Sequence, residues 1–263
     1  MRKYLFIYKS EIMSNLQYIS NILFGFISYF LLLFVFFHLW NYIYSDPEEL
    51  IYGYNMNQTI WYVILTEILW SSIGGRKLCQ KISNDVRGGN IAYNLNKPYD
   101  YIGYSLSSHL GTATIKMILY AVLGFTLGFV FLGDIPVHTV LTLPIVFLSC
   151  IFAVIISCLL IIVIGLFSFV IEDSSPFYWL YSKAILILGT LFPVEFFPAI
   201  MQPILTYSPI YAVSSGPAKL FVNFSWNGCV EVLLIQLFYI GICYILCKLV
   251  YQKGVKKLNV NGG

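Results

Sequence analysis

The sequence predicts an all-α integral membrane protein with six transmembrane helices. Three observations predict it. Charged residues make up 10% of the chain and apolar residues 59%, against about 25% charged in soluble domains. Mean hydropathy is +0.80. The apolar residues also come in continuous runs, as spanning helices of about 20 residues require. A membrane barrel would instead show alternating segments of about ten residues. The whole chain, 1–263, reads as a single transmembrane domain.

At the N-terminus, Leu5, Tyr8, Ile12, Leu16 and Ile19 recur at helical spacing on one face. Arg2, Lys3, Lys9, Ser10, Ser14 and Gln17 fall mainly elsewhere. The pattern fits either an amphipathic helix lying in the headgroup region or a solvated N-terminus. The next run, Asn21 to Tyr44, is too long for the core of a signal peptide and lacks a small-residue cleavage site. The first span is placed at about 20–44, followed by Asp46, Glu48 and Glu49. The second, about 58–75, ends at Gly74-Gly75. A polar loop, 76–101, carries five of the fifteen basic residues: Arg76, Lys77, Lys81, Arg87 and Lys97.

The third span covers about 104–132. The fourth covers about 140–171 and is closed by Glu172, Asp173 and Pro176. Its length requires tilt or an extension beyond the lipid. The fifth runs over about 177–192. Five of the ten prolines then crowd into an apolar stretch: Pro193, Pro198, Pro203, Pro209 and Pro217. Proline breaks helix interiors, and a broken backbone is not tolerated against lipid. Residues 193–222 therefore read as short re-entrant helices buried in protein or lining a cavity. The sixth span is about 227–250, followed by a basic tail with Lys253, Lys256 and Lys257.

Orientation follows from the basic residues, which concentrate on the cytoplasmic side. With the N-terminus inside, twelve of the fifteen lie in inner segments and only Lys219 lies outside, with Lys116 and Lys183 within spans. Both termini are then cytoplasmic. Trp40, Trp61 and Trp226 fall at outer ends, as an aromatic belt requires.

Some chemistries find little support. The six cysteines form no CxxC pair and mostly lie in apolar runs, where they act as small hydrophobes. His38, His109 and His138 are too dispersed for a ligand cluster. Neither a metal site nor a cofactor site is expected on this chain, nor a nucleic-acid partner.

Within the loop, Leu78, Ile82 and Val86 sit at i, i+4 and i+8, giving a short amphipathic helix that ends at Gly88-Gly89. Ile91 and Leu95 suggest a second turn before Pro98. The apolar stripe has no intramembrane place to go. The loop is then either a connector that sets topology or a docking element for a soluble partner.

The run Asp85-Val86-Arg87-Gly88-Gly89-Asn90-Ile91-Ala92-Tyr93-Asn94-Leu95-Asn96-Lys97-Pro98 resembles a pattern in permeases of the ABC-2 transporter superfamily. The Glu195-Phe196-Phe197-Pro198 stretch resembles that family's region after its fifth span. Six spans with both ends inside and an amphipathic first helix agree. Asn94 and Asn96 depart from the usual apolar character around Leu95.

The resemblance implies an exporter of amphipathic, peptide, lipid-like or drug-like substrates in a bacterial cell membrane. It implies pairing with a second permease, identical or paralogous, above two ATPase subunits that hold ATP and Mg. The loop would be the coupling helix between spans two and three. Its ATPase-coupling residues would be Ser83, Asn84, Asp85, Val86, Arg87, Gly88, Gly89, Asn90, Ile91 and Leu95. The chain has no GxxxxGK[ST] phosphate loop, so an ATPase must reside on a separate chain. This chain is then not itself an enzyme.

Intramembrane charges are costly and point to function. Glu67 lies mid-way along span two and Lys116 in span three, at depths that differ by only about 6 Å from residue counting. They either pair or are satisfied separately, Lys116 by snorkelling inward and Glu67 by protonation or a neighbouring helix. Glu195, Phe196, Phe197 and Pro198 are candidates for an outer gate. Glu231 is either an exit residue or a rim charge. Gly124 and Gly128 form a GxxxG pair for close helix approach, within the chain or at a dimer seam. The alternative functions are a stand-alone secondary transporter or channel, which would house substrate in its broken helices, and a membrane-embedded enzyme. No internal inverted repeat supports the former, and no cluster of catalytic residue types supports the latter.

Overall fold

The computed structural model describes residues 2–17, 20–46, 48–95, 97–136, 142–171 and 173–261. Ile19, Asn96, His138, Glu172 and positions 140–141 of the fourth expected span lie outside the described residues. Leu95 and Lys257 are described by their backbone alone.

The described chain is helical apart from short connections and an isolated bridge between Ile51 and Tyr54. The helices are α1 (Arg2–Gln17), α2 (Ser20–Ile43), α3 (Met56–Ile73), α4 (Gly75–Arg87), α5 (Asn90–Leu95) and α6 (Tyr101–Leu132). They continue with α7 (Leu143–Leu166), α8 (Ser175–Ile185), α9 (Gln202–Thr206), α10 (Gly216–Val222) and α11 (Trp226–Asn261). Caps fix several starts. Asn55 accepts from the Gln58 amide at 2.8 Å while Gln58 accepts from the Asn55 amide at 3.1 Å, a reciprocal box before α3. Asp100 accepts from the Gly103 amide at 2.9 Å and opens α6.

Four of these helices are long and apolar enough to cross a membrane: Phe24–Ile43, Tyr101–Leu132, Leu143–Phe169 and Trp226–Lys256. The second and fifth expected spans differ. α3 has 18 residues, most of them buried inside the protein. α8 has 11, extended by a π turn at Leu186–Thr190. The segment expected as a basic tail continues α11 as helix to Asn261.

The most apolar helix, α7, forms the centre, with two thirds of its apolar window buried (67%). Around it stand α11, α4, α6 and a second π turn, Tyr211–Ser215. α3 is held between α6, α2 and α10, and α1 lies along α6. By contrast α2, α6 and α11 bury only 17–22% of their apolar windows. Their outward faces, with residues such as Phe34, Val122 and Leu234, are apolar and need a non-aqueous cover.

Gly124 and Gly128 serve internal packing. A Cβ on Gly124 would meet Tyr29 and Ile68, and one on Gly128 would strike the Trp61 ring. Trp61 departs from the belt expectation: it is fully buried and donates from its indole to Asp134 O at 2.7 Å. Trp40 is buried too, whereas Trp226 is exposed.

The proline-rich segment begins helices more than it breaks them. Pro203 stands in the first turn of α9, where the missing N–H costs nothing, whereas Pro217 follows the second π turn within one helical run, and Gln236 donates to Ala212 O there. The backbone groups freed at the π turns find hydroxyl donors. Gly189 O accepts from Tyr62 at 2.7 Å and Ser214 at 2.9 Å, and Thr190 O accepts from Thr66 at 2.9 Å. Buried Gln236 on α11 completes this layer, donating to Ser149 O and to Ala212 O at 3.0 and 2.9 Å.

Candidate functional site

The polar stretch after α3 is a helical platform. Gly74 adopts the left-handed region (φ 54°, ψ 38°), ending α3 and starting α4 with no connecting loop. Buried His109 of α6 reaches this joint, its Nε2 bonded to Ile73 O, a carbonyl left open at the end of α3. The joint between the second apolar run and the platform is therefore pinned by a third helix.

The apolar stripe of α4 does find a place within this chain. Leu78, Cys79, Ile82, Ser83 and Val86 are buried against α7, α8 and the 3-10 turn Phe167–Phe169. Gly165 of α7 lets Ile82 approach closely. Ser168 donates to Ser83 Oγ at 2.7 Å. The Cys79 thiol lies 3.5 Å from the Ser174 hydroxyl, and burial pushes the thiol's pKa up. This corrects the expectation that the stripe has no place to go within the chain. Ser83, Val86 and Ile91 are buried and seat the platform.

What remains exposed is one face: Arg76, Lys77, Gln80, Lys81, Asn84 and Arg87 on α4, followed by Gly88, Gly89 and Asn90. Arg87 donates to Asn84 Oδ1 at 3.1 Å, ordering the end of α4. Gly89 has φ 71°, which turns the chain into α5. Asp85 is half-buried and accepts from Tyr101 at 2.8 Å. Tyr101 stacks on Tyr251 of α11 at 5.6 Å and an interplanar angle of 7°. Lys248 of α11 pairs with Asp100 at 2.7 Å, and Tyr4 of α1 accepts from the Asp100 amide at 3.1 Å. The platform is thus tied to α1, α6, α7 and α11. Lys77, Gln80 and Lys81 were missed as surface residues, although they share a face with Asn84 and Arg87 at spacings of three and four.

Glu67 and Lys116 do not pair. The ion pairs among the described residues are Lys219–Glu195 and Lys248–Asp100. Glu67 is buried and its Oε1 has no hydrogen-bond partner. The Lys116 ammonium instead reaches back to Gly74 at the α3–α4 joint, as a long side chain does when it escapes the apolar interior.

At the opposite end, Glu195 pairs with Lys219 and accepts from Tyr54 at 3.0 Å. Phe196 packs edge-on against Trp40, ring centroids 5.6 Å apart. Gln202 ties down the backbone by donating to Phe197 O at 2.9 Å, and Pro198 O accepts from the Met201 amide at 2.8 Å. The segment closes this end of the bundle as an aromatic cap.

A family model described as ABC-2 family transporter protein matches residues 19–262. The chain belongs to that family. It is therefore a multi-pass membrane protein of a transport system and not itself a catalyst. Proteins of the ABC-2 family usually work with ATPase subunits. No curated protein matches the chain.

Proposed function

We propose that this chain is the permease subunit of an ATP-driven exporter. Two permeases, identical or paralogous, would form the pathway for an amphipathic, peptide, lipid-like or drug-like substrate. Two ATPase subunits carrying ATP and Mg would dock on the exposed face of α4 and the turn at Gly88–Asn90. The chain crosses a bacterial cell membrane six times, α3 and α8 included, with both termini cytoplasmic. Residues 193–222 dip in from the outer side and return, and Glu195, Phe196, Phe197 and Pro198 act as the outer gate.

One observation carries this reading: α4 is polar on its outward face and seated by its apolar face on α7, the most buried of the four long apolar helices. A push on α4 is transmitted to the centre of the bundle because packed cores do not deform continuously. The Gly74 joint passes the same push to α3.

Co-purification tests it. A tagged chain should capture a separate protein with a phosphate-loop motif. Gln80→Glu with Arg87→Glu should lose that partner while the chain still inserts. Transport by this chain alone in vesicles lacking nucleotide would instead support a secondary transporter or channel.

A further inference from the structure

A cavity of about 380 Å³ opens between α1, α4 and α6, beside the Gly74 joint. Three lysines line it: Lys77 and Lys81 from one face of α4, and half-buried Lys116 from α6. None of the three forms an ion pair among the described residues. Lys81 is held over the Tyr104 ring at 5.0 Å. Glu11 is the one carboxylate among the described lining residues, and the Ser108 hydroxyl occupies one of its oxygens at 2.8 Å. Thr112 and Asn15, bonded to each other at 3.0 Å, add neutral polar groups to the wall.

The depth of this cavity narrows the ligand. α1 forms one side of it, and its exposed residues mix Leu5, Phe6, Met13 and Leu16 with Arg2, Lys3 and Lys9. A helix with such residues uncovered rests at the boundary between headgroups and acyl chains. Three unneutralised ammonium groups at that depth face the layer where lipid phosphates lie.

We infer that this cavity is a phosphate site, and that the phosphate it takes is the headgroup of an anionic lipid. The ammonium groups of Lys77, Lys81 and Lys116 supply the counter-charge, and Glu11 opposes it. Because Lys116 reaches Gly74, an occupied site would brace the joint between α3 and α4. Only the leaflet, the cytoplasmic one, rests on the orientation proposed above. Binding is measured without reference to orientation, so its failure is distinct from a failure of the transport reading.

The test is thermal unfolding of the purified full chain in neutral detergent against three probes: dioctanoyl phosphatidylglycerol, dioctanoyl phosphatidylcholine and inorganic phosphate. Phosphatidylglycerol should raise the midpoint saturably and outperform phosphatidylcholine. Removing each lysine, by Lys77→Gln, Lys81→Gln or Lys116→Met, should weaken the apparent affinity about fivefold. Glu11→Gln should tighten it, a gain that misfolding does not mimic. Phosphatidylglycerol acting where inorganic phosphate does not identifies the lipid; equal action identifies free phosphate as the ligand of the same site. The inference is overturned if neither anion outperforms phosphatidylcholine, or if Glu11→Gln leaves the affinity unchanged.

Discussion

Gly165→Ala should unseat α4 from α7. A methyl carbon there would stand 2.9 Å from Ile82 Cβ, 3.0 Å from its Cγ2 and 3.3 Å from the Cys79 carbonyl oxygen. Ordinary contact between carbon atoms is about 3.5–4.0 Å. The platform must then lift by roughly 0.6–1 Å, since neither Ile82 Cβ nor the backbone of α4 can rotate away. Overpacking of this kind costs about 1–3 kcal/mol. Because the contact lies at one end of the bundle, the cost should appear as local opening and not as global unfolding. Amide exchange across Leu78 to Val86 should accelerate about 5- to 150-fold, while exchange in the middle of α7 should hardly change. Gly241→Ala, where a Cβ meets nothing within 4 Å, is the matched control. In the ATP-driven complex proposed above, the ATPase would still assemble but drive less transport per ATP. Unchanged exchange in α4, with the glycine replaced and the protein folded, would show that α4 is not seated as described.

Three further outcomes are expected. Glu67→Gln and Lys116→Met should change thermal stability additively, with a coupling below about 0.5 kcal/mol, because the two share no partner; a coupling well above that would reinstate the pair. For Glu195 and Lys219, whose side chains are 28% and 37% exposed, a double-mutant cycle should yield no more than about 0.2–1 kcal/mol because solvent screens the pair. A much larger value would mean the cap is drier than its geometry indicates. Cys79, buried and with its thiol's pKa raised by that burial, should react slowly with maleimide at neutral pH, when the thiolate is scarce. In a Gln80→Cys variant the neighbouring exposed position should react rapidly; equal rates would contradict the register of α4.

Much of the platform was legible from spacing. Leu78, Ile82 and Val86 at intervals of four mark one helical face, and Gly88-Gly89 marks its end. The partner of that face was not legible. The surface that covers it belongs to Gly165, Ser168 and α8, nearly eighty residues or more along the chain. A one-dimensional pattern states that a face is apolar without stating whether its cover is the same chain. Glu67 and Lys116 fail for a related reason. Counting residues placed their backbones at similar depth, but the direction of a four-carbon side chain decides where an ammonium lies. Here it points toward Gly74 and the polar end.

By itself, the sequence determined the solvent of this protein, its helical class and the positions of its breaks. Those follow from local quantities: hydropathy over about 20 residues, glycine at left-handed positions, and proline at helix starts. The tertiary structure decided which helices face outward and which are interior. It buried α3 and α7, left α2, α6 and α11 with apolar outer faces, and sorted α4 into a seated side and a free one. The physical reason is that burial belongs to pairs of elements. An apolar stripe reads the same whether lipid, another subunit or a distant helix of its own chain covers it, and only the packed fold distinguishes them.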